Sequence, residues 1–204
     1  MASHPHLWDH NDVRSDVLPY DGTATLWPSF LAAPDDVFEQ LLRDTPWEDH
    51  HIMMFGREVR EPRQSAWFHT EGLAYRYSQS LRAAHAFTPL LLEIMDRCEE
   101  VASASFNSVL ANLYRNGDDA MGWHADDEPE LGREPVIASV SLGAPRRFDF
   151  RHRETKEVVS TVLPHGSLLV MAGQSQHKWM HRIARTKKVS TPRVNLTFRL
   201  MISL

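Results

Sequence analysis

From residue 107 onward, apolar and polar positions alternate with a period of two. SVLANLYR (108–115), VIASVSL (136–142), RRFDFRH (146–152), VVSTVL (158–163), SLLVMA (167–172), HKWMHRI (177–183) and RVNLTFRLM (193–201) each read as a strand, with NGDD, LGAPR, PHGS and AGQS as turns between them. Earlier in the chain the period is helical. PDDVFEQLLRDT (34–45) opens on a proline followed by acids and places Val37, Leu41 and Leu42 at helical spacing. PLLLEIMDRCEEVAS (89–103) opens on Pro89 and carries an apolar stripe of Leu91, Ile94, Met95, Cys98 and Val101, which reads as core. Strands following two helices predict a mainly β sandwich or barrel buttressed by N-terminal helices. The first 25 residues are rich in His, Asp and Pro without a period, so they are expected to form an arm, with residues 26–204 as one domain and its β core at 105–202. Residues 52–69 mix aromatics and arginines without a firm period, the pattern of an exposed functional loop.

Composition narrows the class. A chain of 204 residues suits one well-buried domain, and 42% hydrophobic with 24% charged residues is ordinary for a soluble protein. There is no apolar run long enough to span a membrane. The opening MASHPHLWDHNDVRSD has neither the basic nor the apolar stretch of a secretory leader. The single cysteine, Cys98, cannot form an internal disulfide and excludes a multi-cysteine metal site; a reducing, cytoplasmic setting and a monomer are the expectation.

The net charge of −5 argues against a nucleic-acid binder until its distribution is read. Residues 1–50 hold ten Asp/Glu and two Lys/Arg, a balance of −8, which leaves +3 for the remainder. Arg182, Arg185, Lys187, Lys188 and Arg193 fall in one span without an acid, and RRFDFRHR (146–153) sets four arginines against Asp149. Such stripes suit a phosphate backbone, although solvated loop ends carry the same pattern.

Two segments carry chemistry. In GWHADDEPELG (122–132), His124 and Asp126 stand two apart, so an extended backbone presents both on one face. One imidazole, one carboxylate and a distant histidine make a facial triad that leaves coordination positions open, as non-haem Fe(II) oxygenases require. The distant ligand falls in QHKWMHRI, where His177 and His181 are four apart and spacing alone does not choose between them. In RVNLTFR (193–199), Val194, Leu196 and Phe198 line one face, and Arg193, Asn195, Thr197 and Arg199 line the other. With the apolar face against helices, the arginines point inward, where burial is costly without anionic partners. A dicarboxylate provides one carboxylate for each guanidinium. Asn112 and Tyr114 repeat this polar row on the earlier strand.

With HxD, a distal histidine and RxNxxxR in this order, the sequence resembles the AlkB family of nucleic-acid repair dioxygenases over about residues 50–202. NLYRNGDDAMGWHADDE, IASVSLGAPRRFDFRH, HGSLLVM and PRVNLTFR are similar to family segments in the expected order. The resemblance implies a double-stranded β-helix (jelly-roll) core with a nucleotide-recognition lid at about 52–80. It implies Fe(II) on His124, Asp126 and His181, the match of WMHRI selecting His181. It places the co-substrate 2-oxoglutarate on Asn112, Tyr114, Arg193, Asn195, Thr197 and Arg199, with Arg199 at the keto-acid end and Arg193 at the distal carboxylate.

MFGREVREPRQSAWFHTEGLAYRYS (54–78) resembles the lid of members acting on duplex DNA. On that likeness Phe55 probes the base stack, Arg63 lies in a basic turn, and Tyr75 and Tyr77 line the base pocket, Tyr77 stacking on a flipped base. Asp127 and Glu128 favour a cationic lesion, with Glu128 reading the exocyclic amino group. Glu58 and Glu61 depart from the lid's basic character. The implied activity is oxidative demethylation of N1-methyladenine and N3-methylcytosine in DNA, with 2-oxoglutarate and O₂ giving succinate, CO₂ and formaldehyde. The alternatives are the same chemistry on RNA, protein or lipid, a nucleic-acid-binding module with a vestigial metal site, and a cupin-like hydrolase on the same barrel, which would not need Arg193 and Arg199.

Overall fold

The structure, a computed structural model, describes residues 13–54, 56–70, 74–77 and 80–202, without the side chains of 52–54, 57, 74–77 and 80–83. Strands β1 (Ser15–Asp16) and β2 (Thr23–Trp27) precede helix α1 (Pro34–Asp44). Next come the hairpin of β3 (Glu48–Met54) and β4 (Arg57–His69), the short pair β5 (Ala74–Tyr77) and β6 (Ser80–Ala83), and helix α2 (Pro89–Ala102). The rest is β7 (Ser108–Tyr114), β8 (Met121–His124), β9 (Ile137–Gly143), β10 (Arg146–His152), β11 (Val158–Leu163), β12 (Ser167–Ala172), the one-turn helix α3 (Ser175–Lys178), β13 (Trp179–Ile183) and β14 (Arg193–Arg199).

The strands form an eight-stranded sheet of order β1-β2-β12-β9-β14-β7-β4-β3, a four-stranded sheet of order β11-β10-β13-β8, and the β5–β6 pair. Pairing within the two larger sheets is antiparallel, the expected mainly β, jelly-roll architecture. Alternation divides the interior into two cores. Val194, Leu196 and Phe198 of β14, with Val109, Ala111 and Leu113 of β7 and Ala138, Val140 and Leu142 of β9, pack with the buried face of α2 (Leu91, Ile94, Met95 and Cys98). Each fully buried Val, Leu, Ile or Phe among them stabilises the fold by about 1.5–3 kcal/mol. The opposite faces of the same strands meet the smaller sheet, where Tyr114, Ile137, Phe148, Phe150, Leu169, Met171 and Trp179 form the second core. Helix α2 starts where Thr88 Oγ1 accepts the Leu91 N–H at 3.2 Å, and ends at Ser103 in a left-handed conformation (φ 51°).

Several expectations are corrected. The segment expected as an arm through residue 25 includes β1 and most of β2, and β2 pairs with β12 from Thr23↔Ala172 to Trp27↔Leu168. Residues 52–69 are not a loop: β3 and β4 form a hairpin, and the second half of β4 joins the large sheet through β7. The irregular pattern there has a simple cause, since Gln64–His69 is covered on both faces and alternation disappears. The strand expected at 177 begins at Trp179, because residues 175–178 complete a helical turn. Met121–His124 is a strand that periodicity did not single out. Among the described residues no helix is long and apolar enough to cross a membrane.

Two contacts fix how the ends of the sandwich meet. Gly117 N–H donates to Val189 O at 2.8 Å and Gly117 O accepts from Thr186 N–H at 2.9 Å, docking the 184–192 loop just ahead of β14. A Cβ at Gly117 would lie 1.9 Å from Thr186 O, a backbone atom that cannot simply rotate away. On the outer face of the smaller sheet, the Asp149 carboxylate accepts from Ser160 Oγ (2.7 Å), Arg147 Nε (2.6 Å) and Arg182 Nε (2.9 Å). Burial pushes its pKa up, but these three donors outweigh burial and hold it below the ordinary value.

Gly117→Ala should therefore destabilise the protein by about 1–3 kcal/mol, read as a lower midpoint in urea unfolding. The Asp149 carboxyl titrates lower folded than unfolded, so its stabilisation is complete above about pH 4 and is lost as pH falls through the folded value. Asp149→Asn should lower Tm at neutral pH and flatten the acid limb of the Tm–pH profile; an unchanged acid limb would contradict this.

Candidate metal centre and co-substrate pocket

His124 ends β8, the edge strand of the smaller sheet, and lies directly across from His181 of β13. Their rings are 4.2 Å apart between centroids, and His181 stacks on Phe148 at 5.2 Å. Asp126 follows in an irregular stretch, residues 125–128. Potential ligand atoms of His124, Asp126 and His181 all lie within 4.8 Å of one another. His124 Nδ1 faces Gly122 O at 2.9 Å, which assigns the ring proton to Nδ1 and leaves Nε2 as the ligand atom. Burial, reinforced by His124 and opposed by Asp126, pushes the His181 pKa down to about 3, so the ring is neutral and able to bind a metal. Burial pushes Asp126 up, but Arg199, His181 and His124 outweigh it, and the carboxylate stays ionised. Two imidazoles and a carboxylate on one side of a pocket are a donor set for Fe(II) with open positions.

Spacing left His177 and His181 equivalent; the fold separates them. His177 lies in the helical turn, exposed, with its ring nitrogen against Arg133 O, whereas His181 is 4% exposed and faces the other ligands.

The pocket beside these ligands is lined by Asn112 and Tyr114 of β7, Arg193, Asn195, Thr197 and Arg199 of β14, Arg63 of β4, and apolar groups including Leu110, Met121, Phe148 and Ile183. All six residues expected to hold the co-substrate thus meet in one place. Arg193 is 2% exposed; one amino group donates to Ser141 Oγ at 2.9 Å, its guanidinium lies 5.1 Å from the Tyr114 ring centre, and Nε and Nη1 have no partner. Burial pushes its pKa down to about 10. Arg199 is 8% exposed, with Nη1 3.6 Å from Asp126 Oδ1 and Nε unpartnered. Asn195 Nδ2 donates to Ser139 Oγ (2.8 Å) and Val140 O (3.0 Å), and Thr197 Oγ1 donates to Asn195 Oδ1 (3.1 Å). Buried guanidinium N–H groups without acceptors, beside a metal-type donor set, are what a chelating dicarboxylate requires.

The residues expected to touch the nucleic acid fare differently. Arg63 is not in an exposed turn. It is 6% exposed on β4, pairs with Glu61 at 2.8 Å, and donates from Nε to Asn112 Oδ1 at 3.0 Å. The cause is the length of β4: its 13 residues run from the hairpin tip into the large sheet, carrying Glu61 and Arg63 inward. Glu61, expected as a surface acid, is 2% exposed and neutralises Arg63. Asp127 is exposed and paired with Arg153 at 2.7 Å. Glu128 is half-buried, its Oε2 is buried without a partner, and its pKa is raised, burial outweighing the opposing pull of Arg199. Phe55 and the side chains of Tyr75 and Tyr77 lie outside the described residues; only the backbone of the two tyrosines, in β5, is seen.

Three supporting residues escaped the sequence reading. Trp123 is held between the guanidiniums of Arg151 and Arg182, each 4.4 Å from its ring centre, on the outer face behind His124. Arg153 ties Asp127 to the Gln176 carbonyl. Gln176 is 1% exposed and its Oε1 accepts the Asp126 N–H at 3.0 Å. Only the proximity of Trp123 to His124 was visible beforehand; the other two contacts join distant segments.

Comparison with known proteins agrees with this geometry. Residues 24–199 match the 2OG-Fe(II) oxygenase superfamily model. The chain is 41% identical to bovine "Alpha-ketoglutarate-dependent dioxygenase alkB homolog 3" over 85% of its length, and spans 64% of that protein. It is 37% identical to the human protein of that name, over 97% of this chain and 73% of the relative. Human "DNA oxidative demethylase ALKBH2" is 37% identical over 82% of this chain and 69% of its own length. The solved structure of OsALKBH1 superposes with a TM-score of 0.63 at 16% identity, covering 90% of this chain and 99% of that one, a likeness of fold. The chain belongs to the AlkB family within the 2OG-Fe(II) oxygenase superfamily, whose members are dioxygenases that use Fe(II) and 2-oxoglutarate.

Proposed function

We propose that this dioxygenase demethylates alkylated bases in DNA, with N1-methyladenine and N3-methylcytosine as its preferred lesions. The reading draws on relatives that are named as DNA oxidative demethylases. Within the chain it rests on one observation: Glu128, two residues past Asp126 and within electrostatic reach of Asp126 and Arg199, has a buried carboxyl oxygen without a partner. Both lesions carry a positive charge on the Watson–Crick face, and a carboxyl group aimed at that face favours them over neutral bases. Asp127, already paired with Arg153, is left with a supporting role.

The residues divide the work. His124, Asp126 and His181 would hold the iron. Arg193 and Arg199 receive the two carboxylates of 2-oxoglutarate, while Asn112, Tyr114, Asn195 and Thr197 fix its orientation. Arg63 holds the Asn112 side chain in place through its 3.0 Å contact. Leu110, Met121, Phe148 and Ile183 keep bulk water away. Bound there, iron with 2-oxoglutarate and O₂ supplies the oxidation of an N-methyl group, releasing succinate, CO₂ and formaldehyde. A base within a duplex must first leave the stack at a cost of about a few kcal/mol, smallest for lesions that cannot pair. Phe55, Tyr75 and Tyr77 are assigned to that step, Phe55 as the wedge and the tyrosines as the base platform.

Arg193→Met should raise the KM for 2-oxoglutarate about 10- to 100-fold, the loss expected for charge-assisted hydrogen bonds of about 1.5–3 kcal/mol, with Co(II) affinity unchanged. Steady-state succinate release gives the KM, and Co(II) titration of the metal-free protein gives the metal affinity. Fe(II) and 2-oxoglutarate added without oxygen, then air, with single- and double-stranded DNA and RNA oligonucleotides bearing each lesion, should give 2-oxoglutarate-dependent methyl loss from the DNA substrates by mass spectrometry. Succinate release with no methyl loss from any of them would refute the substrate while leaving the oxygenase intact. Demethylation of RNA alone would transfer the assignment to RNA.

A further inference from the structure

Asp126 must hold its carboxylate toward the metal from a stretch of chain with no strand or helix of its own, residues 125–128. β8 ends at His124, and the next regular element, a single 3₁₀ turn, starts at Pro129. No sheet ladder therefore fixes the backbone at Asp126. Gln176 does. Its side chain, 1% exposed, crosses from the turn between β12 and β13 and accepts the Asp126 N–H through Oε1 at 3.0 Å.

The amide has only one workable orientation. Its Nε2 faces Met171 Sδ at 3.6 Å and Ser175 Oγ at 3.4 Å, both able to accept. Rotated by half a turn, the amide would set its NH₂ against the Asp126 N–H, two donors face to face in a buried site. A second tie runs in parallel: one Arg153 nitrogen donates to Asp127 Oδ2 at 2.7 Å and to the Gln176 carbonyl at 3.4 Å. The backbone of Gln176 is thus anchored to the same segment that its side chain holds. Gln176 also stands five residues before His181 on one continuous run of chain, through α3 into β13.

We propose that Gln176 is a positioning residue for the metal site: its amide oxygen sets where the Asp126 carboxylate stands relative to His181. Asp126 and His181 then move as a unit, although 55 positions separate them in the sequence. The inference rests on the metal reading of His124, Asp126 and His181 and is independent of the nucleic-acid substrate. Groups that orient ligands in this way typically carry a 10- to 100-fold share of metal affinity.

Gln176→Met keeps the length and bulk of the side chain and replaces the amide oxygen with a thioether, at best a weak acceptor; Gln176→Glu keeps an acceptor oxygen at the same reach. Co(II) binding to the metal-free protein, followed by visible absorption, should be weakened 10- to 100-fold in the Met variant and stay within about threefold of wild type in the Glu variant. The melting temperature of each metal-free protein is measured alongside, and Gln176→Leu replaces the Met variant if that protein does not fold. The Co(II) absorption spectrum of the Met variant should also change, because a displaced carboxylate alters the ligand geometry. Wild-type Co(II) affinity in the Met variant overturns the proposal. So does equal weakening in both variants with a matching fall in melting temperature, since that marks a packing role alone. Failure of the wild-type protein to demethylate any of the DNA substrates, with normal Co(II) binding, would count against the substrate assignment and leave the metal site untouched.

Discussion

Strand β14 imposes the constraint on which the rest of the molecule depends. Its alternate residues do opposite jobs: Val194, Leu196 and Phe198 are fully buried on the helix side, and Arg193 and Arg199 are almost fully buried on the other. A shift of register by one residue would put guanidinium groups into the helical core and leucine into the pocket. The pairing of all seven β14 residues with β7 prevents that slip. It also brings Asn112 beside Asn195, and Arg193 beside Tyr114. The polar pocket is therefore a consequence of sheet register, and the apolar face that secures the register is what makes two buried cations tolerable before any anion arrives.

The cost of those cations is met unevenly. Arg193 has Ser141 and the Tyr114 ring, and Arg199 has Asp126 at 3.6 Å, yet both retain buried N–H groups without acceptors. Arg63, by contrast, is fully matched to Glu61 and Asn112. Arg63 is thus satisfied within the protein, whereas Arg193 and Arg199 keep buried donors open to an anion. An anion bound between Arg193 and Arg199 relieves a penalty the folded protein already carries, which favours binding beyond the contacts alone. The proximity of Arg199 to Asp126 links that site to the metal ligands.

Most of this was legible in the sequence where a segment is covered on one face and polar on the other. β10, β11 and β12 begin and end where alternation places them, and β14 revealed its inward arginines. Alternation fails where both faces are covered, as in the second half of β4, so Glu61 and Arg63 looked like loop residues and proved to be buried partners. It fails again in short elements, and the four residues of β8 were too few to show a period. His177 and His181 could not be separated by spacing, because the helical turn at 175–178 depends on the junction of β12 and β13. The contacts Arg153–Asp127 and Gln176–Asp126 join residues 26 and 50 positions apart, and no local pattern encodes them.

The three candidate metal ligands stand on supports of unequal rigidity. His181 lies inside β13, between β10 and β8, and stacks on Phe148, so both sheet and core determine its place. His124 ends an edge strand whose register with β13 is irregular, and its neighbour Trp123 is gripped from outside by Arg151 and Arg182. Asp126 lies beyond the strand altogether and depends on side chains from the segments that precede β13 and follow β10. Rigidity thus falls from His181 to His124 to Asp126 as sheet hydrogen bonds give way to side-chain ties. On the proposed reading, an edge location keeps the ligand set reachable from outside the sheets, as a large substrate would need. The side-chain ties hold the Asp126 backbone where no sheet ladder does.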